Sequence, residues 1–242
     1  MLFDLDDTLL DYSGGVERCW AAACAAAGEG AGLDAGGLTA AVERARRWFW
    51  ADPARHARER VDMLGAWTKI AAAALSALGH PDDTLASVLA RDFASRRRAA
   101  MRLHADATPC LARFRAQGIP LALVTNGDAA MQRDKIARFD LGRWFDVVAI
   151  EGELGIGKPD PHVYRYVLDA LGVPPTAASM VGDNLDWDVA GAQRLGVRGV
   201  WLDRQAAGPP AGHTARPDAV IHSLDELLRP ETRVSGGART RA

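Results

Sequence analysis

The sequence predicts an α/β fold: a Rossmann-like parallel sheet, interrupted after its first strand by an all-helical cap domain. Three observations carry that expectation. A short apolar run, Met1-Leu2-Phe3, stops at two carboxylates, Asp4 and Asp6. From Val16 to about Ala99 the chain has helical spacing and no convincing strand. After Leu103 short apolar runs alternate with helix-length segments, the pattern of βαβ units around a buried parallel sheet. The expected division is a core of residues 1–13 and 100–229, a cap of residues 14–99, and a disordered tail at 230–242.

The elements follow in order. The first strand ends at Asp4, and Ser13-Gly14-Gly15 breaks the chain before the cap. In the cap, Ala, Leu, Arg and Trp recur at helical spacing, punctuated by Asp34-Ala35-Gly36-Gly37, Asp52-Pro53 and Gly79-His80-Pro81. Roughly four helices result. The core resumes with a helix over Pro109 to Gln117, a strand over Pro120 to Val124 and a helix over Ala129 to Ala137. Phe145 to Ile150 is the next strand, and Gly155 to Pro161 forms a loop into a helix over Val163 to Leu171. The strand Ser179-Met180-Val181 stops at Gly182-Asp183-Asn184. A helix over Val189 to Leu195, a strand over Gly199 to Leu202 and an edge strand over Ala219 to Ile221 complete the sheet. Ligands of such sheets bind at the carboxyl ends of the strands, where every polar cluster described below is expected to lie.

Composition narrows the function classes. At 242 residues and 48% hydrophobic, the chain has material for a substantial core. A net charge of −2 supplies no basic field for nucleic acid, and no uncharged apolar run is long enough to span a bilayer. Nothing near Met1 resembles a signal peptide, and Cys19, Cys24 and Cys110 are an odd number, so a reduced, cytoplasmic protein is expected. Whether it is a monomer or a homodimer is not legible. Lysine occurs only at Lys69, Lys135 and Lys158, against many arginines, which draws attention to a lysine in a Gly/Pro-rich loop.

Asp4 and Asp6 lie two apart at a strand end, so both side chains leave the same side of the chain. Carboxylates that close raise each other's proton affinity or need a cation between them, an arrangement able to give one nucleophile and one acid/base. The plainer alternative is a solvated acidic turn. Thr125-Asn126-Gly127 can present a hydroxyl and backbone N–H groups to an anion, though taken alone an ordinary Asn-Gly turn is the better reading. Lys158, in Gly157-Lys158-Pro159-Asp160-Pro161, is a compact point charge suited to a phosphoryl group. Asp183 and Asp188 follow an apolar strand, a sensible place for a hard cation, whereas Asp186 reads as an acid at a helix start. Gly152 to Lys158 imitates the start of a P-loop, but Pro159 stands where Ser or Thr is needed to hold magnesium, so an NTPase is excluded.

Together, Asp4-Leu5-Asp6-Asp7-Thr8, Val124-Thr125-Asn126-Gly127, Gly157 to Pro161 and Gly182-Asp183-Asn184 with Asp188 resemble the four motifs of the haloacid dehalogenase superfamily. The resembling branch carries a helical cap after the first strand, and the likeness runs from Met1 to about Arg204. The resemblance implies a phosphatase that hydrolyses a small phosphorylated metabolite through an aspartyl phosphate on Asp4. Asp6 would protonate the leaving alcohol and then activate water; Thr125, Asn126 and Lys158 would bind the phosphoryl group. Mg²⁺ would sit on the Asp4 carboxylate, the Asp6 carbonyl and Asp183, supported by Asp188; with Lys158 it would let a carboxylate approach a phosphate dianion.

Three alternatives stand beside this reading. A 2-haloacid dehalogenase needs no leaving-group acid, and such enzymes typically lack the residue that Asp6 supplies. A sugar phosphomutase would use the same two aspartates, and a catalytically idle binding protein would show eroded motifs. One departure concerns the first strand, which has three residues before Asp4 where family members have several more. Either residues precede Met1, as we expect, or the strand is short. In the cap, Arg46-Arg47-Trp48-Phe49-Trp50 through Arg55, Arg58 and Arg60 is the candidate specificity segment, with packing of Trp48 and Trp50 inside the cap the plainer expectation. Sugar phosphates, nucleoside monophosphates and phosphoglycolate-like acids fit equally.

Overall fold

The computed structural model describes residues 1–228; the tail expected to be disordered from Pro230 lies outside the described residues. Six parallel strands form the main sheet: β1 (Leu2–Phe3), β4 (Ala122–Thr125), β5 (Val147–Ile150), β6 (Ser179–Gly182), β7 (Arg198–Leu202) and β8 (Ala219–Ile221). Their spatial order is β5-β4-β1-β6-β7-β8. The chain thus builds outward from β1 on one side and then returns to its other side. The reversal lies between β1 and β6, the position at which a crevice opens at the strands' carboxyl ends.

β1 is as short as the sequence suggested, yet it is paired on both sides: Phe3 is in register with Leu123 and with Val181. The Asp4 N–H donates to the Val181 carbonyl at 2.9 Å, which carries the pairing one residue beyond the strand and sets the Asp4 side chain at its mouth. Alternation along the strand separates the two core layers. Leu2 packs with Val163, Tyr164 and Val167 of α9 (Pro161–Leu171). Phe3 packs with the opposite layer and meets Phe114 edge-on at 6.0 Å, in α6 (Ala107–Ala116).

Five helices, not four, fill the inserted segment: α1 (Val16–Ala31), α2 (Ala35–Trp50), α3 (Pro53–Glu59), α4 (Met63–Ala77) and α5 (Asp83–Ala100). The unanticipated α3 begins at Asp52-Pro53, which had read as punctuation. Pro53 fits the first turn, and the Asp52 side chain accepts the Arg55 N–H as the helix cap. Asp34, Asp62 and Asp82 cap α2, α4 and α5 in the same way. The cap has its own core, in which Trp20 stacks on Phe93 at 3.8 Å. Cys19 and Cys24 are buried there and Cys110 in the sheet core, all unpaired.

A second feature not anticipated is a two-stranded antiparallel ribbon, β2 (Leu10–Asp11) with β3 (Arg102–Leu103), where the chain leaves and re-enters the core. Between β1 and this ribbon the chain folds back tightly. Asp7 adopts φ 61° there, a left-handed conformation that Asp tolerates, and its carboxylate accepts the N–H groups of Tyr12 and Ser13. That turn aims Asp6. Among the described residues, no helix is long and apolar enough to cross a membrane.

Candidate active site

The strand ends bring the predicted residues together around one cavity of about 370 Å³, closed on the far side by the cap. Asp4, Asp6, Thr125, Asn126, Lys158, Asp183 and Asp188 all line it. Lys158 is buried, with Nζ 2.5 Å from Asp4 Oδ1 and 2.6 Å from Asp188 Oδ1. Asn126 holds the lysine's main chain: its Oδ1 accepts the Lys158 N–H and its Nδ2 donates to the Lys158 carbonyl, both at 2.7 Å. Both ends of that amide are therefore occupied by the protein, where the sequence suggested direct contact with a bound anion.

Asp183 lies in the turn after β6, and Asp188 in the π-helical segment that follows it, Leu185–Ala190. The Trp201 indole N–H donates to the Asp183 carbonyl at 2.8 Å, and Asn184 caps the following turn through the N–H groups of Asp186 and Trp187. Asp186 itself is exposed and points to His213, in keeping with its reading as a helix-start acid. Asp4, Asp183 and Asp188 each offer a carboxylate oxygen within 4.8 Å of the others. Hard oxygen donors that close suit a small divalent cation.

The electrostatics agree. Burial pushes the Asp4 carboxyl up to about 7, with Asp188 adding to the rise and Lys158 opposing it. Enclosure, followed by the charges of Asp4, Asp188 and Asp7, pushes Asp183 up to about 9. Because Asp183 remains open to the cavity, the neighbouring charges are the firmer cause. Burial works against the Lys158 ammonium, but Asp188 and Asp4 outweigh it and hold its pKa well above the usual lysine range. The site thus holds more acid than its one central lysine neutralises, which is the condition a metal ion would relieve.

Asp6 faces the same cavity with a different partner. From sequence, two carboxylates that close either raise each other's proton affinity or need a cation between them; in the structure each aspartate has its own lysine. Lys135, on α7 (Ala129–Arg138), donates to both Asp6 oxygens at 2.9 and 2.8 Å. Gln132, on the same helix, donates to Asp6 Oδ2 at 3.1 Å and to Thr125 Oγ1 at 2.5 Å. Neither residue was singled out from sequence, although the scarcity of lysine pointed at Lys135 as much as at Lys158.

A family model for haloacid dehalogenase-like hydrolases matches residues 1–196. The chain belongs to that family. Among its relatives is a phosphoserine phosphatase from Thermus thermophilus, 38% identical over 183 residues, covering 74% of this chain and 72% of the relative. A HAD hydrolase structure from Bacillus subtilis, solved bound to magnesium, superposes with TM-score 0.69 at 21% identity, over 94% of this chain and 95% of that one. A 2-haloacid dehalogenase structure from Pseudomonas syringae pv. Tomato DC3000 superposes with TM-score 0.63 at 27% identity, over 94% and 95%.

In this hydrolase the cap divides the candidate specificity segment. Arg46, Trp50 and Arg60 line the cavity, with His56 beside them. Phe49 is buried in the cap core, and Trp48 lies outside at 60% exposure under the Arg55 guanidinium. Arg55 is bound to the Trp48 and Phe49 carbonyls, and Arg58 pairs with Glu59. The buried aromatic wall of the cap comes instead from Trp20, Trp67 and Phe93, which helical spacing alone could not separate from ordinary core. The false P-loop is accounted for as well: Glu151 to Leu154 form the short helix α8, whose Glu151 binds Arg60 and the Gly127 N–H.

Proposed function

We propose that this hydrolase is a magnesium-dependent phosphatase acting on a small phosphorylated metabolite through an aspartyl phosphate on Asp4. The observation that carries the reading is the pair of aspartates with separate partners, Asp4 against Lys158 and Asp6 against Lys135. On this reading one carboxylate attacks and the other handles protons, and phosphoester cleavage needs both roles. Similarity to a phosphoserine phosphatase over most of the chain supports the reaction class.

Asp4, Asp183 and the main-chain carbonyl of Asp6 would hold magnesium, with Asp188 in support. When bound, the ion neutralises phosphoryl oxygens so that a carboxylate can approach them. Lys158 and the Thr125 hydroxyl hold the remaining oxygens, and Asn126 keeps Lys158 in place. The Asp4 carboxylate oxygen attacks phosphorus; the new P–O bond forms as the ester P–O bond breaks. The electron pair leaves with the alcohol oxygen, which takes the proton of the Asp6 carboxyl. Asp6, now a carboxylate, takes a proton from water as the water oxygen attacks phosphorus. Phosphate departs and the Asp4 carboxylate is restored. A cavity of about 370 Å³ suits a small metabolite.

Hydrolysis of 2-haloacids is the competing reading, given the dehalogenase structure among the neighbours. Halide leaves without a proton, so Asp6 and its two donors from α7 would have no task. The deciding experiment assays p-nitrophenyl phosphate and 2-chloropropionate with magnesium, with EDTA, and as Asp4→Asn. Phosphate release that needs magnesium and disappears in Asp4→Asn is the expected result. Chloride release that survives EDTA, with no phosphate release, would overturn the proposal.

A further inference from the structure

We propose that Lys135 is a positioning residue for Asp6, fixing where the acid/base carboxyl stands over the leaving group. The inference rests on the phosphatase reading above. Lys135 is 3% exposed, on the inner face of α7. Its ammonium has three N–H donors, and the protein engages all three: Asp6 Oδ1 at 2.9 Å, Asp6 Oδ2 at 2.8 Å and Gln132 Oε1 at 2.6 Å. The Tyr12 ring closes over it, with its centroid 4.0 Å from Nζ. No donor is left for a phosphoryl oxygen, so Lys135 is not a second copy of Lys158.

Gln132 completes the device. An ammonium can only donate, so Gln132 must turn its carbonyl oxygen to Lys135 and its NH₂ group the other way. That NH₂ faces Asp6 Oδ2, Thr125 Oγ1 and the Asn126 carbonyl. The Thr125 hydroxyl therefore accepts from Gln132 and keeps its own proton for another acceptor. One turn of α7 thus holds both Asp6 oxygens and sets the polarity of the Thr125 hydroxyl. Asp6 stands in the fold-back after β1, with its side chain 24% exposed toward the cavity. Without the lysine its carboxyl would be free to take other rotamers, and proton transfer requires hydrogen-bond reach of the leaving oxygen.

The test compares p-nitrophenyl phosphate with phenyl phosphate, which has nearly the same shape but a far more basic leaving oxygen. In the magnesium-loaded full-length protein, Lys135→Met should lower kcat on phenyl phosphate by about tenfold or more beyond its effect on p-nitrophenyl phosphate, with KM within about twofold. Introduced into Asp6→Asn, the same substitution should add no further loss, because the group it positions is gone. Equal losses on the two substrates, no loss on either, or a full additional loss in Asp6→Asn would overturn the positioning role. Should Lys135→Met give no folded protein, Lys135→Arg keeps the buried cation while displacing the carboxyl, and the same leaving-group selectivity is required of it. A wild-type protein that turns over neither ester overturns the phosphatase reading and this inference together. Wild-type turnover that Asp4→Asn abolishes, with equal losses in the lysine variant, overturns this inference alone.

Discussion

Gly182 gives Asp188 the space through which it reaches Lys158. A Cβ at Gly182 would lie 2.2 Å from Asp188 Cγ and 2.1 Å from Oδ2. Gly182 ends β6 and is not among the residues with positive φ, so the missing side chain matters here and not backbone freedom. Asp188 cannot simply retreat, because Oδ2 accepts the Asn184 N–H at 3.0 Å while Oδ1 holds Lys158.

Gly182→Ala should therefore displace Asp188 and loosen Lys158. The overpacking is expected to destabilise the fold by about 1–3 kcal/mol and to lower kcat by roughly 10-fold to 100-fold. Thermal melts and steady-state kinetics measure the two effects. A variant with kcat within about twofold of wild type would show that the contact has no part in the reaction.

The raised pKa values of Asp4 and Asp183 make a statement about stability in metal-free protein. Both groups bind a proton more tightly when folded than their ordinary value of 3.8 allows when unfolded. The folded state then carries more protons across the interval from about 4 to about 9, so these groups make stability fall as pH rises through it. The favourable contribution is complete below about 4 and is lost progressively above it, the share of Asp4 being gone by about 7 and that of Asp183 by about 9. A cation needs the ionised carboxylates, so magnesium should raise the melting temperature more at pH 8.5 than at pH 5.5. A magnesium-induced shift that is the same at both pH values would contradict the three-carboxylate site.

The core was legible in sequence because each strand is a bounded apolar run and each candidate residue follows one. Position at a strand end was not enough by itself, since Thr125 alone reads as part of an ordinary turn; Asp4, Thr125 and Asp183 stood out because the four motifs occur together and in order. Lys135 and Gln132 were not legible, since their function lies in facing Asp6, 129 and 126 residues away, and α7 reads as an ordinary polar helix. The β2–β3 ribbon escaped because two-residue strands have no period to detect. Trp48 and Trp50 illustrate the limit in the cap: two residues apart on one helix, one is exposed and the other lines the cavity. Spacing fixes which face a side chain is on, and the packing of the neighbouring helices decides what that face meets.

Trp20 joins cap stability to the cavity wall. It is 3% exposed, stacks on Phe93 at 3.8 Å with the rings inclined by 10°, and lines the site. Trp20→Ala should destabilise the protein by about 3–5 kcal/mol, through lost burial and an unfilled cavity. Because the vacated volume opens onto the substrate cavity, KM should change along with stability. Trp20→Phe, which refills much of the space, should recover most of the stability. Denaturant midpoints and KM for p-nitrophenyl phosphate measure both, and a stability loss under about 1 kcal/mol in Trp20→Ala would mean that the cap repacks freely.

Arg60 ties the cap to the strand ends. Its guanidinium binds Glu151 through Nε at 2.8 Å and Nη2 at 2.6 Å, reaches the Lys158 carbonyl at 3.3 Å and lies over the Trp187 ring. The two side chains are only 12% and 10% exposed, so this is a largely desolvated ion pair. Removing one partner of such a pair leaves an uncompensated charge, and Arg60→Met should cost about 3–5 kcal/mol. Most of that loss comes from the stranded Glu151 carboxylate, whose other contact is the Gly127 N–H at 2.9 Å. Glu151→Gln removes the charge and keeps an acceptor for that N–H, so the double variant should be more stable than Arg60→Met alone. Its kcat/KM should nevertheless stay below wild type, because the cap has lost its anchor beside Lys158. Melting curves of the single and double variants decide the matter. If their destabilisations simply add, the pair is not coupled and the cap is held in place by other contacts.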